Sequence, residues 1–116
     1  MNVLLILNEA PYGSERFFTA LRLATALQAR EQPTSMAIFL ASDAVLAALT
    51  GQSPSQGYNI EKMLSDLLAA GAQVEVCVTC VETRGLRSLD LIPGVQIGTM
   101  AHLAEWVAEA DRVLSF

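Results

Sequence analysis

Apolar residues fall in two kinds of run along this chain, short continuous blocks and longer stretches of helical period, and the two kinds alternate. Val3–Leu7 is a continuous block ending at Asn8, the pattern of a strand buried on both faces of a parallel sheet. A turn, Glu9-Ala10-Pro11-Tyr12-Gly13, leads to Ser14, whose hydroxyl suits the start of a helix. That helix is predicted to run to about Arg30, with Phe17, Leu21, Ala24 and Leu27 facing the sheet. Gln32-Pro33-Thr34 breaks it. Ser35–Ala41 is the second block, and Ser42-Asp43 then caps a short predicted helix through Leu49.

Gly51–Gly57 has loop composition and is expected to be mobile. After it the period is clearest. Asn59 precedes Ile60, Met63, Leu64, Leu67 and Leu68, one face of a 3.6-residue repeat, and Gly71 is placed to end that helix in a left-handed conformation. Gln73–Cys77 alternates as a third strand, with a turn of helix expected through the following cysteine segment. Asp90–Pro93 reads as loop and Val95–Ile97 as a short strand. Thr99 caps a helix carrying Leu103, Trp106 and Val107, and Arg112–Phe116 is a last strand.

Strands alternating with helices at this spacing imply right-handed crossovers. The predicted fold is α/β, three layers in the order α/β/α, with a mainly parallel sheet of about five strands. Residues 1–116 read as a single domain. In open parallel sheets, sites form where loops leave the carboxyl ends of the strands. Asn8, Ser42 and Cys77 all fall at such ends.

Composition changes the picture in one respect. Hydrophobic residues make up 53% of the chain and charged residues 16%, more apolar surface than a small monomer can hide in its own core. A homo-oligomer is therefore expected. The longest apolar runs, such as Val3–Leu7 and Met36–Ala41, are far short of the roughly 20 residues of a spanning helix. The opening Met-Asn-Val-Leu-Leu-Ile-Leu-Asn has neither a basic segment nor a small-residue cleavage site, so the expected location is the cytoplasm. A net charge of −5 argues against a direct nucleic-acid platform.

Candidate chemistry concentrates in Val74–Gly85, which holds both cysteines, Cys77 and Cys80, with Arg84 and Arg87 close behind. Cys77 at a strand end is placed for access. A helical turn starting there would aim N–H groups at its sulfur, and either arginine could add positive charge; both effects favour the thiolate. The competing reading is a buried cysteine packed as a small hydrophobe. Cys80 could resolve a disulfide, ligate a metal or pack. Zinc would need four ligands, and His102, the one histidine, is a poor third candidate that reads as a surface or interface residue. No metal or other cofactor is expected. Gly13 before a helix could admit an anion, and Glu9 and Asp43 near strand ends could act as acid or base. They read more simply as turn, loop and cap residues, and Trp106 as core or interface.

The chain resembles the DsrE/DsrF-like sulfur-relay family, most closely its small YchN-type branch. Six stretches carry the resemblance in order: Asn8–Ser14, Phe39–Val45, Gly51–Ile60, Cys77–Gly85, Gly94–Thr99 and Ala110–Phe116. It implies a three-layer α/β/α fold and ring-like homohexamers built from trimers. It also implies a persulfide on the cysteine at position Cys77, loaded by a donor protein and unloaded by an acceptor. Cys80 belongs to the pattern of only some members.

The expected function is sulfur relay through Cys77. The alternatives are a thiol–disulfide oxidoreductase cycling Cys77 and Cys80, and an oligomeric binding or scaffold protein that needs neither cysteine.

Overall fold

The computed structural model describes residues 1–116. Five strands form one sheet: β1 (Asn2–Leu7), β2 (Ser35–Leu40), β3 (Gln73–Cys77), β4 (Gln96–Gly98) and β5 (Arg112–Ser115). Their spatial order is β4-β3-β2-β1-β5, and all four pairings are parallel. The connections carry α1 (Arg16–Gln28), a 3-10 helix (Ser42–Ala48), α2 (Ile60–Ala69), α3 (Val78–Thr83) and α4 (Met100–Glu109). No helix is long and apolar enough to cross a membrane.

Alternation along the strands sends neighbouring residues to opposite faces of the sheet. Val3, Leu5 and Leu7, with Met36, Ile38, Leu40, Val74 and Val76, face α1, α2 and the 3-10 helix. There they meet Phe17, Leu21, Ala24, Ile60, Leu64 and Leu67 in a core of 22 buried residues. On the other face only four buried residues cluster, Leu4, Phe39, Cys77 and Leu103, with Trp106 partly buried beside them. Leu103 and Trp106 come from α4, so one helix forms the third layer. Met100 and Val107, which flank Leu103 on that helix, are exposed, and Val113, level with Leu4 in the β1–β5 register, is exposed too.

Two predicted caps hold. The Asn59 side chain accepts from the Lys62 N–H at 3.0 Å, and the Thr99 hydroxyl accepts from the His102 N–H at 3.2 Å. Gly71 ends α2 region with φ of +99°, as its position suggested. The Ser14 cap is displaced by one residue: Glu15 holds the cap position of α1, and the Ser14 hydroxyl accepts only from the Arg16 N–H at 3.3 Å. The segment after β2 also differs from the expected capped α-helix. It winds as a 3-10 helix whose cap position is Ala41, with no side-chain cap. Its first two residues are used for tertiary contacts instead.

Candidate functional site around Cys77 and Cys80

β3 ends at Cys77, which doubles as the cap residue of α3, with φ −62° and ψ 120°. The chain therefore turns from strand into helix at that residue and brings Cys80 round within the first turn of α3. Cys77 lies at a strand's carboxyl end, as the alternation predicts. It is less accessible than that position suggested: packed with Leu4, Phe39 and Leu103, it is 6% exposed. Cys80 is half-buried and packs against both apolar clusters, at the rim where the two faces of the sheet meet.

The better-defined sulfur contact belongs to Cys80. The Ser42 backbone N–H donates to Cys80 Sγ at 3.2 Å. Ser42 is the one non-glycine residue with positive φ, at +51°. A side-chain-bearing residue held there costs of order 1–3 kcal/mol and persists only where its surroundings require it. Here the conformation turns the N–H that follows β2 onto a sulfur in the first turn of α3. Burial raises the Cys80 pKa above the ordinary thiol value, and its hydrogen bond with Cys77 raises it further. The Ser42 N–H and the charge of Arg84 pull the other way. The two cysteines thus share one small cluster, with Cys80 held as the thiol.

Arg84 serves this corner without reaching Cys77. Its guanidinium binds Asp43 Oδ1 through Nε at 3.1 Å and Nη2 at 3.0 Å, and donates to the Cys80 carbonyl at 3.2 Å. Asp43 is consequently an arginine partner rather than a helix cap, and it ties the 3-10 helix to α3. Arg87 turns away to Glu82. The backbone of α3 does not cap the Cys77 side chain either, so the expected N–H groups are not aimed at that sulfur.

A second polar pair borders Cys77 from β3 and α4. Glu75, two residues before Cys77 and on the same face, is 8% exposed. Its carboxylate meets His102 Nδ1 at 2.8 Å through Oε1 and 2.7 Å through Oε2. That hydrogen bond raises the His102 pKa; partial desolvation opposes the shift, and the charges of Glu75, Glu105 and Glu109 add to it. Gly98 is the cross-strand partner of Cys77, and a Cβ on it would lie 2.0 Å from Glu75 Oε1. The carboxylate therefore occupies the space beside Cys77 that a side chain on β4 would fill. Glu75 carries no sequence signal beyond a charged residue inside an apolar strand. That signal alone could have marked it.

Of the remaining candidates only Trp106 belongs to the Cys77 cluster. Glu9 forms an exposed ion pair with Arg16 at 3.6 Å. Gly13 faces open space apart from the Ala10 methyl group, 3.8 Å from where its Cβ would be. Trp106 packs edge-on against Phe39, with centroids 6.4 Å apart. In Gly51–Gly57, expected to be mobile, the Gln52 amide is anchored to the Ala47 and Leu49 carbonyls at 2.8 and 2.9 Å. Tyr12 donates to the same side chain. None of these partners is a residue of the cysteine pair. His102 is committed to Glu75, and no three His, Cys, Asp or Glu side chains converge as a metal site.

The sequence profile of the DsrE/DsrF-like family matches residues 1–116. The chain belongs to that family. Among its relatives there, protein YchN of Escherichia coli is 49% identical over 114 residues, 98% of this chain and 97% of that protein. Protein MJ0989 of Methanocaldococcus jannaschii is 40% identical over 116 residues, all of both chains. The crystal structure of the Escherichia coli YchN protein superposes with a TM-score of 0.96 at 48% identity, covering 100% of this chain and 99% of that one. This DsrE/DsrF-like chain thus has the α/β fold of YchN, in a family associated with sulfur relay.

Proposed function

We propose that this protein is a sulfur-relay carrier that holds sulfur as a persulfide on Cys77. The observation carrying the reading is the placing of two thiols in one small cluster where β3 gives way to α3, one of them bound by the strained Ser42 N–H. Membership of a family associated with sulfur relay supports it. In the loading step the Cys77 thiolate attacks the outer sulfur of a donor persulfide, R–S–SH. A Cys77–S–SH bond forms, and the donor departs as its thiolate. An acceptor thiolate removes the outer sulfur by the same exchange, leaving Cys77 as a thiolate. Because Cys77 is 6% exposed, docking of either partner must displace the groups over it.

The carrier works as a single domain in the cytoplasm and assembles as a homohexamer. Met100 and Val107, seven residues apart on one stripe of α4, and Val113 beside them supply apolar surface for that assembly. Its partners are donor and acceptor proteins rather than nucleic acid or membrane.

Incubation with a sulfurtransferase and thiosulfate labelled in its sulfane sulfur, followed by mass spectrometry, tests the reading. The expected result is an adduct of about 32 Da on Cys77, lost in Cys77→Ser. Absence of the adduct, under conditions where a known carrier loads, overturns it. The placing of both thiols at one strand-to-helix junction favours a second reading, a Cys77–Cys80 thiol–disulfide oxidoreductase. That reading requires both cysteines for turnover, whereas loading requires Cys77 alone.

A further inference from the structure

We infer that Cys80 is a built-in unloading thiol, which attacks Cys77 of the persulfide form and expels the carried sulfur as sulfide. The inference rests on the persulfide reading and adds a fate for sulfur that no acceptor collects. The step balances within the protein. A Cys80 thiolate attacks the inner sulfur of Cys77–S–SH, the Cys77–Cys80 disulfide forms, the S–SH bond breaks and hydrosulfide leaves. The outer sulfur is reduced to sulfide, the Cys80 sulfur is oxidised and the Cys77 sulfur stays at the disulfide level, so no outside oxidant takes part. A dithiol reductant then returns both cysteines to thiols, by ordinary thiol–disulfide exchange.

Three features of the site carry this. Cys80 sits in the first turn of the helix that Cys77 begins and packs against the same small cluster, so the attacking group needs no large approach. Side chains three apart on a helix have Cβ atoms about 5–6 Å apart, and a disulfide needs roughly 3.5–4.5 Å. The extended ψ of 120° at Cys77 places that residue outside the helical ladder, where its backbone can supply the difference. Finally, Ser42 holds a left-handed conformation whose N–H is spent on Cys80 Sγ. A sulfur that only packs needs no such donor, while a thiolate forming there is stabilised by it.

The same surroundings restrain the step. Cys77 on the β3–α3 junction, Arg84 on α3 and Asp43 on the 3-10 helix are the ionisable groups around Cys80, and Arg84 is partly spent on Asp43. Burial and the Cys77 hydrogen bond raise the Cys80 pKa, so at neutral pH it stands as the slow-reacting thiol. Sulfur is therefore retained long enough for an acceptor to compete, and self-unloading speeds up as pH rises.

The test uses the whole chain loaded with inorganic polysulfide, desalted, and followed by sulfide trapping and intact mass. Wild type should release sulfide and finish about 2 Da below its reduced mass, through an intrachain disulfide. In Cys80→Ser and Cys80→Ala the adduct should persist at least roughly tenfold longer, with no lighter species. Raising the pH should accelerate release in wild type only. Equal release from all three proteins, or release from wild type without the lighter species, overturns the inference while the carrier reading stands. A parallel arm oxidises the unloaded protein with glutathione disulfide. Failure to form the Cys77–Cys80 bond there overturns the inference whatever the loading result, and absence of loading on Cys77 in the polysulfide arm overturns the carrier reading itself.

Discussion

The two faces of the sheet are made by the same strands and finished very differently. Toward α1 and α2, a core of 22 buried residues closes over every inward side chain. Toward α4, four buried residues suffice, and the chemistry gathers there: Cys77 belongs to that small cluster, and Glu75 on the same face of β3 reaches His102. A densely packed interior admits few voids and no unpaired charge, so it can hold a sheet but not a buried carboxylate beside a thiol. The thinner layer tolerates both, because water and α4 share the covering. The larger core sits on one side of the sheet and Cys77 of the candidate site on the other.

The largest test of this contrast is a pair of truncations. Phe17→Ala empties a fully buried site on the thick face and should cost about 3–5 kcal/mol in denaturant unfolding. Leu103→Ala, at the 8% exposed residue of α4 that faces the sheet, should cost about 2 kcal/mol, since the thin layer around it can collapse. Equal losses would erase the distinction between the two faces.

A smaller change probes the polar pair within the thin layer. Gly98→Ala places a methyl group 2.0 Å from Glu75 Oε1, so the carboxylate has to move. A loss of about 1–3 kcal/mol is expected, together with a fall of the His102 pKa in an NMR titration. Retention of the raised pKa would show that the carboxylate does not depend on the missing side chain.

The mildest change is Glu75→Gln, which keeps the shape and removes the charge. Because Glu75 raises the His102 pKa in the folded state, the protonated pair stabilises the fold fully below the unfolded histidine value of about 6.5. That contribution is lost as pH rises through the higher folded pKa. Wild type should therefore lose a small increment of stability across this window, and Glu75→Gln should lose less. Matching pH profiles for the two proteins would mean that the charge contributes nothing to stability and that neutral hydrogen bonding alone fixes α4 there.

The elements of the fold were legible because their causes are local. Period separates β1 from α1, and Asn59 and Thr99 announce α2 and α4 through side chains that reach N–H groups three residues on. Where a competing tertiary contact exists, local reasoning misjudged the residue. Asp43 looks like a cap and is claimed by Arg84, 41 residues later. Arg84 and Arg87 look like activators of Cys77, and each finds a carboxylate closer to hand.

The site divides along the same line. Spacing along the chain determined that both cysteines lie where β3 gives way to a helix, since a strand end and the first turn after it follow from pattern alone. Which sulfur is buried, which one receives the Ser42 N–H, and that Glu75 meets His102 were decided only by the tertiary structure. Each depends on strands and helices brought together from 27 or 38 residues apart, where packing rather than sequence neighbourhood sets the partner.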